Sequence, residues 1–177
     1  MRMKQVTWAL LFLVLNAVAA EAAPEFYVSV TGAIQGPFKG ELVNKGFEGK
    51  FAGLSFDYEV VSPRDAASGL ASGKRQHKPI RIKKPFGPAS VQFYAALTKN
   101  ESLSVVMDFM ATDQSGVMVL DHTIKLTNAS VASVKMHSDK DVVPAGPAND
   151  VIEFTFQQIE ITDHRSKLRV GDAWFVQ

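Results

Sequence analysis

Gly73-Lys74-Arg75-Gln76-His77-Lys78-Pro79-Ile80-Arg81-Ile82-Lys83-Lys84-Pro85-Phe86-Gly87-Pro88-Ala89-Ser90-Val91-Gln92-Phe93-Tyr94-Ala95-Ala96-Leu97 is the stretch on which the fold turns. Its first half sets Ile80 and Ile82 on one face and Arg81 and Lys83 on the other, the pattern of a half-buried strand. Pro85 and Pro88 end that strand, because neither can donate to a ladder and each restricts the residue before it. Pro88 suits the first position of a helix. Val91, Tyr94, Ala95 and Thr98 then recur at helical spacing, Phe93 and Leu97 widen the apolar stripe, and Asn100 is a natural stop. Val91 and Tyr94 are therefore predicted to pack the helix onto the domain. No other helix is expected beyond the N-terminal leader. The fold class is mainly β, with one short helix set against curved sheets.

On either side the pattern is strand. Phe26, Val28 and Val30 alternate with Tyr27, Ser29 and Thr31, and Leu54, Phe56, Tyr58 and Val60 alternate with Ser55, Asp57 and Glu59. A long loop, 62–73, follows, and loops of that length in a compact domain often serve function. Past the helix, Val105, Met107 and Phe109 alternate up to Asp113-Gln114-Ser115-Gly116, which reads as a hairpin turn with glycine in the left-handed position. The return strand places Ile124 and Leu126 inward. Parity then shifts at Thr127-Asn128, since Ala129 and Val131 are odd-numbered, and shifts back at Val134 and Met136. A similar shift separates Ile152, Phe154 and Phe156 from Ile159 and Ile161, with Gln157-Gln158 at the switch. Each change requires a bulge or bend, and strands that bend this way suit a curved barrel. Pro144, Gly146 and Pro147 mark the loop between these strands. Phe56, Tyr58, Phe154 and Phe156 are the predicted core.

Composition and charge narrow the function. The chain has 177 residues, 46% of them apolar and 21% charged, with 19 Lys+Arg, 18 Asp+Glu and no cysteine. Residues 1–22 have the three parts of a secretory signal: Arg2 and Lys4, an apolar run from position 6 to 18, and Ala20-Glu21-Ala22 or Val18-Ala19-Ala20 with small residues at the cleavage positions. That run is short for a bilayer span, so no stable membrane insertion is expected once the leader is removed. The remaining domain, 23–177, keeps 17 residues of each charge sign. A neutral domain does not point to nucleic acid, and no aromatics interleave with the basic run to stack on bases. His77, His122, His137 and His164 lie in no metal spacing, and no nucleophile elbow or phosphate loop occurs. Asp163, His164 and Ser166 have the residue types of a hydrolase triad, but neighbours on a strand point to opposite faces. Neither an enzyme nor a cofactor is expected.

The run Lys74, Arg75, His77, Lys78, Arg81, Lys83, Lys84 contains no acidic residue. It reads either as a solvated strand face that discourages edge pairing or as a patch that meets acidic residues of a neighbouring subunit. Glu153, Glu160 and Asp163 are the candidates on the neighbour.

Several of these segments resemble one family. Gly73-Lys74-Arg75 and His77-Lys78-Pro79, followed by a lysine-bearing strand and a short proline-started helix, are similar to the Hcp proteins, the tube subunits of type VI secretion systems. Ile124-Lys125-Leu126-Thr127-Asn128-Ala129 resembles that family's hairpin segment. Ile152-Glu153-Phe154-Thr155-Phe156-Gln157-Gln158-Ile159-Glu160 with Thr162-Asp163 resembles its closing strand. The likeness runs in order over 26–174. Phe86-Gly87-Pro88-Ala89 departs from the acidic and serine residues that more often open the family's helix, and the leader is a second departure. The resemblance implies a curved β-barrel of two sheets with one helix. It also implies a homomeric ring, with a hexamer as the candidate, stacked head to tail into a tube that carries cargo, and a 62–73 loop that helps one ring contact the next. Spike, sheath and effector proteins are the implied partners. The other reading is an exported binding or adhesion module that keeps this fold and works apart from any secretion machine. With a leader, the expected location is secreted or periplasmic.

Overall fold

The computed structural model describes residues 26–138 and 148–174. The leader and the Pro144-Gly146-Pro147 loop lie outside these described residues. The elements are β1 (Phe26–Gly32), β2 (Gly36–Pro37), β3 (Phe51–Gly53), β4 (Ser55–Asp57), β5 (Val60–Val61), β6 (Gln76–His77), β7 (Ile80–Pro85), α1 (Pro88–Lys99), β8 (Leu103–Thr112), β9 (Met118–His137), β10 (Asn149–Thr155), β11 (Gln158–Asp163) and β12 (Leu168–Ala173).

Strand β9 organises them. Its first part pairs antiparallel with β8 on one side and β11 on the other, and its last part pairs with β10. One sheet therefore runs through β1, β8, β9, β11 and β12, and the other through β9, β10, β7 and β4. The chain crosses between them at the parity changes. Register slips opposite Leu103 and Val105, where Asn128 takes a positive φ of 49°, and again between Glu153 and Phe154. The Gln157 N–H reaches the carbonyls of Thr127 and Asn128, each at 3.2 Å, and Asn128 Nδ2 donates to Gln157 Oε1 at 2.9 Å. The shifts at Thr127-Asn128 and at Gln157-Gln158 thus occur at one fastened corner, and the shift back before Val134 lies opposite the Glu153–Phe154 slip. At the other corner β3 pairs with β1 and β4 with β7, with Leu54 between them. The expected curved barrel is thus two sheets joined at corners, and their ladder remains an open path.

The alternation from Leu54 to Val60 is not one strand. Phe51 and Gly53 face inward on β3, so Leu54 is the residue at which parity breaks, and it is exposed. Phe56 and Tyr58 are half-buried at the edge of the core, whereas Phe154 and Phe156 are buried as expected. The β8–β9 turn matches its sequence: Gly116 has φ +81°, and Asp113 Oδ1 accepts from the N–H groups of Ser115 and Val117.

Helix α1 begins at Pro88 and ends at Asn100, which caps it in the left-handed region at φ 48°. Its packing face is not the expected one. Ala89, Ser90, Phe93 and Ala96 are buried, while Val91 and Tyr94 are 65% and 55% exposed. Phe93 decides the rotation, because its ring meets Phe38, Phe51 and Phe154 edge-on at 5.1, 5.6 and 5.8 Å. Edge-to-face contacts of this kind add to the burial of a large apolar side chain.

Beneath the first turn lies a buried charge. Lys84, read from sequence as part of a solvated basic face, has a side chain that is 0% exposed. Its ammonium donates to the Pro85 carbonyl and to Ser90 Oγ at 3.2 Å, and lies 3.5 Å from Asp150 Oδ2 and from Glu41 Oε1. Ser90 Oγ donates to Asp150 and accepts from the Gly87 N–H at 2.9 Å. At the start of the helix Glu41 lies close over Gly87: a Cβ there would sit 2.0 Å from Glu41 Oε1, so a side chain at 87 would push that carboxylate aside. At the other end of the helix, Glu101 is 1% exposed and accepts from the N–H groups of Ile34 and Gln35 at 2.6 and 2.7 Å, and from Gln35 Nε2 at 2.7 Å. Burial pushes the Glu101 carboxyl up, but the bonds from Gln35 and Ile34 outweigh it and hold the group below its ordinary value.

Two outcomes follow for stability. Removing one member of a buried pair strands the other, at about 3–5 kcal/mol, whereas replacing both with apolar groups is close to neutral. Lys84→Met is therefore expected to lower the melting temperature by roughly 10 °C, from about 2–4 °C per kcal/mol in a domain of this size. Lys84→Met combined with Asp150→Leu should recover most of that loss in thermal unfolding. Glu101→Gln should cost about 1–2 kcal/mol at neutral pH. A depressed folded-state pKa gives stability that is full above the unfolded value of 4.5 and is lost as pH falls through the folded value. Denaturant titrations should accordingly show the wild type converging on Glu101→Gln in acid.

Candidate subunit interface

The basic strand is folded so that its cations are answered mostly within the chain. The β7 register sets Arg81 between Asp57 of β4 and Glu153 of β10. Arg81 Nε and Nη2 both donate to Glu153 Oε1, at 2.8 and 2.6 Å. Lys83 stands half-buried between Ser55 and Val151, with no acid opposite it in either register. Lys78 and Lys74 are exposed, and the Lys78 N–H donates to the Glu59 carbonyl at 2.9 Å. Arg75 grips both oxygens of Asp172 on β12, which holds the Asp172 carboxyl below its ordinary range and raises the guanidinium. On the acidic side, Glu160 pairs with Arg169 across β11–β12. Asp163 Oδ1 accepts the N–H groups of Arg165 and Ser166 at 2.8 and 3.1 Å, closing the hairpin turn. The surface is thus a mixed-charge weave, in which exposed pairs contribute little to stability.

His77 differs from the rest of the run because it points inward, with a side chain 1% exposed. Its Nδ1 and the Tyr58 hydroxyl share a hydrogen bond of 2.7 Å, and its Nε2 lies 3.4 Å from Asp172 Oδ2. The imidazole stacks near Trp174 at 5.8 Å and meets Phe156 edge-on at 5.4 Å. Burial, and then the Asp172 charge, raise the Tyr58 hydroxyl above its ordinary value. Together with Arg75, this cluster fastens the base of the 62–75 loop to the C-terminal strand. Asp172 and Trp174 escaped the sequence reading, which had Tyr58 only as a core residue. Arg75 and Asp172 are 97 positions apart, so no local spacing announces their pairing.

Asp163 and Ser166 meet in the turn, but His164 is not brought to either of them. Asp163 serves the turn, and His164 Nε2 instead meets Thr123 Oγ1 at 2.9 Å. Among the described residues no group of three or more histidine, aspartate or glutamate side chains is placed to hold a metal ion. No helix among them is long and apolar enough to cross a membrane.

Comparison with known proteins agrees with this architecture. The family model described as "Type VI secretion system effector, Hcp" matches residues 27–162. The "Major exported protein" of Pseudomonas aeruginosa is 32% identical over 161 residues, covering 84% of this chain and 94% of that protein. Among solved structures, an Hcp protein superposes with a TM-score of 0.79 at 21% identity, covering 86% of this chain and 100% of its own. The secreted protein Hcp3 from Pseudomonas aeruginosa reaches 0.70 at 26% identity, covering 85% and 99%. A match along the whole domain does not favour a module that has left the secretion machine. The chain therefore belongs to the Hcp family of type VI secretion systems, structural proteins that form rings and tubes and are not enzymes.

Proposed function

We propose that the mature chain closes head to tail into a homomeric ring, with a hexamer as the candidate, and that these rings stack into a tube. Effector proteins would be its cargo and spike and sheath proteins its neighbours in the apparatus. The supporting observation is the family match over residues 27–162. On the folded chain the basic and acidic residues are interleaved: Arg81 of β7 bonds Glu153 of β10, while Lys83 has no acidic cross-strand partner and Lys78, just before β7, is exposed. In a heterologous contact these groups would exchange partners with acidic residues of the neighbour, whereas a two-fold dimer needs a self-complementary patch. Lys74, Arg75, Lys78, Arg81 and Lys83 would meet Glu153, Glu160 and Asp163 of the neighbour at the rim. His77 would act from within by holding the loop. Rim charges add little affinity in salt, so apolar contacts beneath them must hold the ring. The leader, residues 1–22, would be removed on export, leaving a secreted or periplasmic domain 23–177.

Sedimentation of the mature protein across a concentration series tests this proposal. The wild type is expected to associate with concentration, and Arg81→Glu with Lys83→Glu to shift it toward monomer without unfolding. Because Arg81 also bonds Glu153, the exchange Arg81→Glu with Glu153→Arg keeps that pair and separates assembly from stability. A wild type that stays monomeric at high concentration defeats the proposal.

A further inference from the structure

The buried pair beneath the helix is placed for a reaction as well as for a contact. Lys84 and Asp150 face each other directly across β7 and β10, and both side chains are fully buried. The Lys84 nitrogen stands 3.5 Å from Asp150 Oδ2. A good charge-assisted bond is shorter, at roughly 2.7–2.9 Å. Asp150 Oδ1 is buried too, and it has no hydrogen-bond partner among the described residues.

The setting is dry and partly aromatic. The Lys84 nitrogen lies 5.4 Å from the centre of the Phe51 ring, and Phe51 packs on Phe93, with both rings buried. Two opposite charges are costly in such a place, and passing one proton from the ammonium to the carboxylate removes both. The result is a free amine beside a carboxylic acid. Holding the two together replaces the high concentration that amide formation needs in solution. Two further groups touch the reacting atoms. Glu41 Oε1 lies 3.5 Å from the Lys84 nitrogen, on a side chain that is 29% exposed. Ser90 Oγ donates to Asp150 Oδ2 and is itself held by the Gly87 N–H.

We propose that Lys84 and Asp150 condense to an intramolecular isopeptide bond, with Glu41 as the proton-transfer group. The Lys84 nitrogen adds its lone pair to Asp150 Cγ, and the Ser90 hydroxyl bonds the charge that develops on Oδ2. Glu41 takes a proton from the nitrogen and returns it to the Oδ1 hydroxyl, which leaves as water while the Cγ–Oδ2 double bond re-forms. One C–N bond is made, one C–O bond is broken, and nothing is oxidised or reduced. The bond would lock β7 to β10 across 66 positions of sequence. In a chain without cysteine it supplies the covalent cross-link that a disulfide would otherwise give.

Mass spectrometry of the mature protein is the test. The wild type is expected to be one water lighter than its sequence, and digestion should release a branched peptide that joins Lys84 to Asp150. Glu41→Gln leaves the pair in place, so it is expected to fold with the same circular dichroism spectrum but to keep its full sequence mass. Lys84→Met is the unreacted standard. The melting comparisons given above apply to the uncondensed pair, so the form being melted is read from its mass. A folded wild type that keeps its full mass through prolonged incubation, or a water loss that maps to another site, overturns the proposal and leaves a plain ion pair. Condensation of Glu41→Gln at the wild-type rate would overturn the part assigned to Glu41.

Discussion

The ammonium of Lys84, buried among Asp150, Ser90 and Glu41, is the contact on which the arrangement of this domain depends. It lies where the second sheet, the helix and the 38–50 loop meet. Lys84 comes from β7 and Asp150 from β10, adjacent in register, so the pair first fixes those strands against each other. Ser90 then ties the helix N-terminus to the same carboxylate, and Glu41 draws the loop against Gly87. An ion pair in a dry site adds little net stability, because desolvation consumes most of the attraction. Its effect is positional. Once the helix start is pinned, Phe93 meets its three aromatic partners and the opposite helix face is left to solvent.

From that anchor the curvature of the sheets carries the geometry outward. β9 changes sheet where its inward parity changes, and the Asn128–Gln157 bonds hold the corner. The bend delivers β11 and β12 to the side of the loop base, where Arg75 and His77 reach Asp172 and the aromatic rings. Core, corner and loop are therefore one connected construction. The mixed-charge surface is laid over it.

Much of this was legible in residues 73–97 and in the parity of the later strands. Bulges announced themselves because a side-chain period of two leaves no other way to keep Ile124, Ala129 and Val134 on an inward course. Pro88 and Asn100 marked the helix ends because their backbone preferences are local. The helix rotation was harder. Ala89, Phe93 and Ala96 fit helical spacing as well as Val91, Tyr94 and Thr98 do, and only tertiary contact with Phe38, Phe51 and Phe154 selects between them. Lys84 was misread for a related reason: its position after Ile80 and Ile82 is an inward one, but its charge suggested solvent. The site was less legible still. Arg81–Glu153 and Arg75–Asp172 are pairings across distant strands, so what looked like a one-sign basic run is charge-matched once folded.

Family membership and internal geometry together describe a subunit with a hydrogen-bonded loop tip and a mixed-charge surface. The central claim is that such a subunit closes on itself rather than remaining alone or extending at random. Electron microscopy of the mature wild-type protein at high concentration examines this most directly. The account expects closed rings of one copy number, with some stacked end to end. Fields of isolated monomers, or open aggregates of no fixed number, would contradict it.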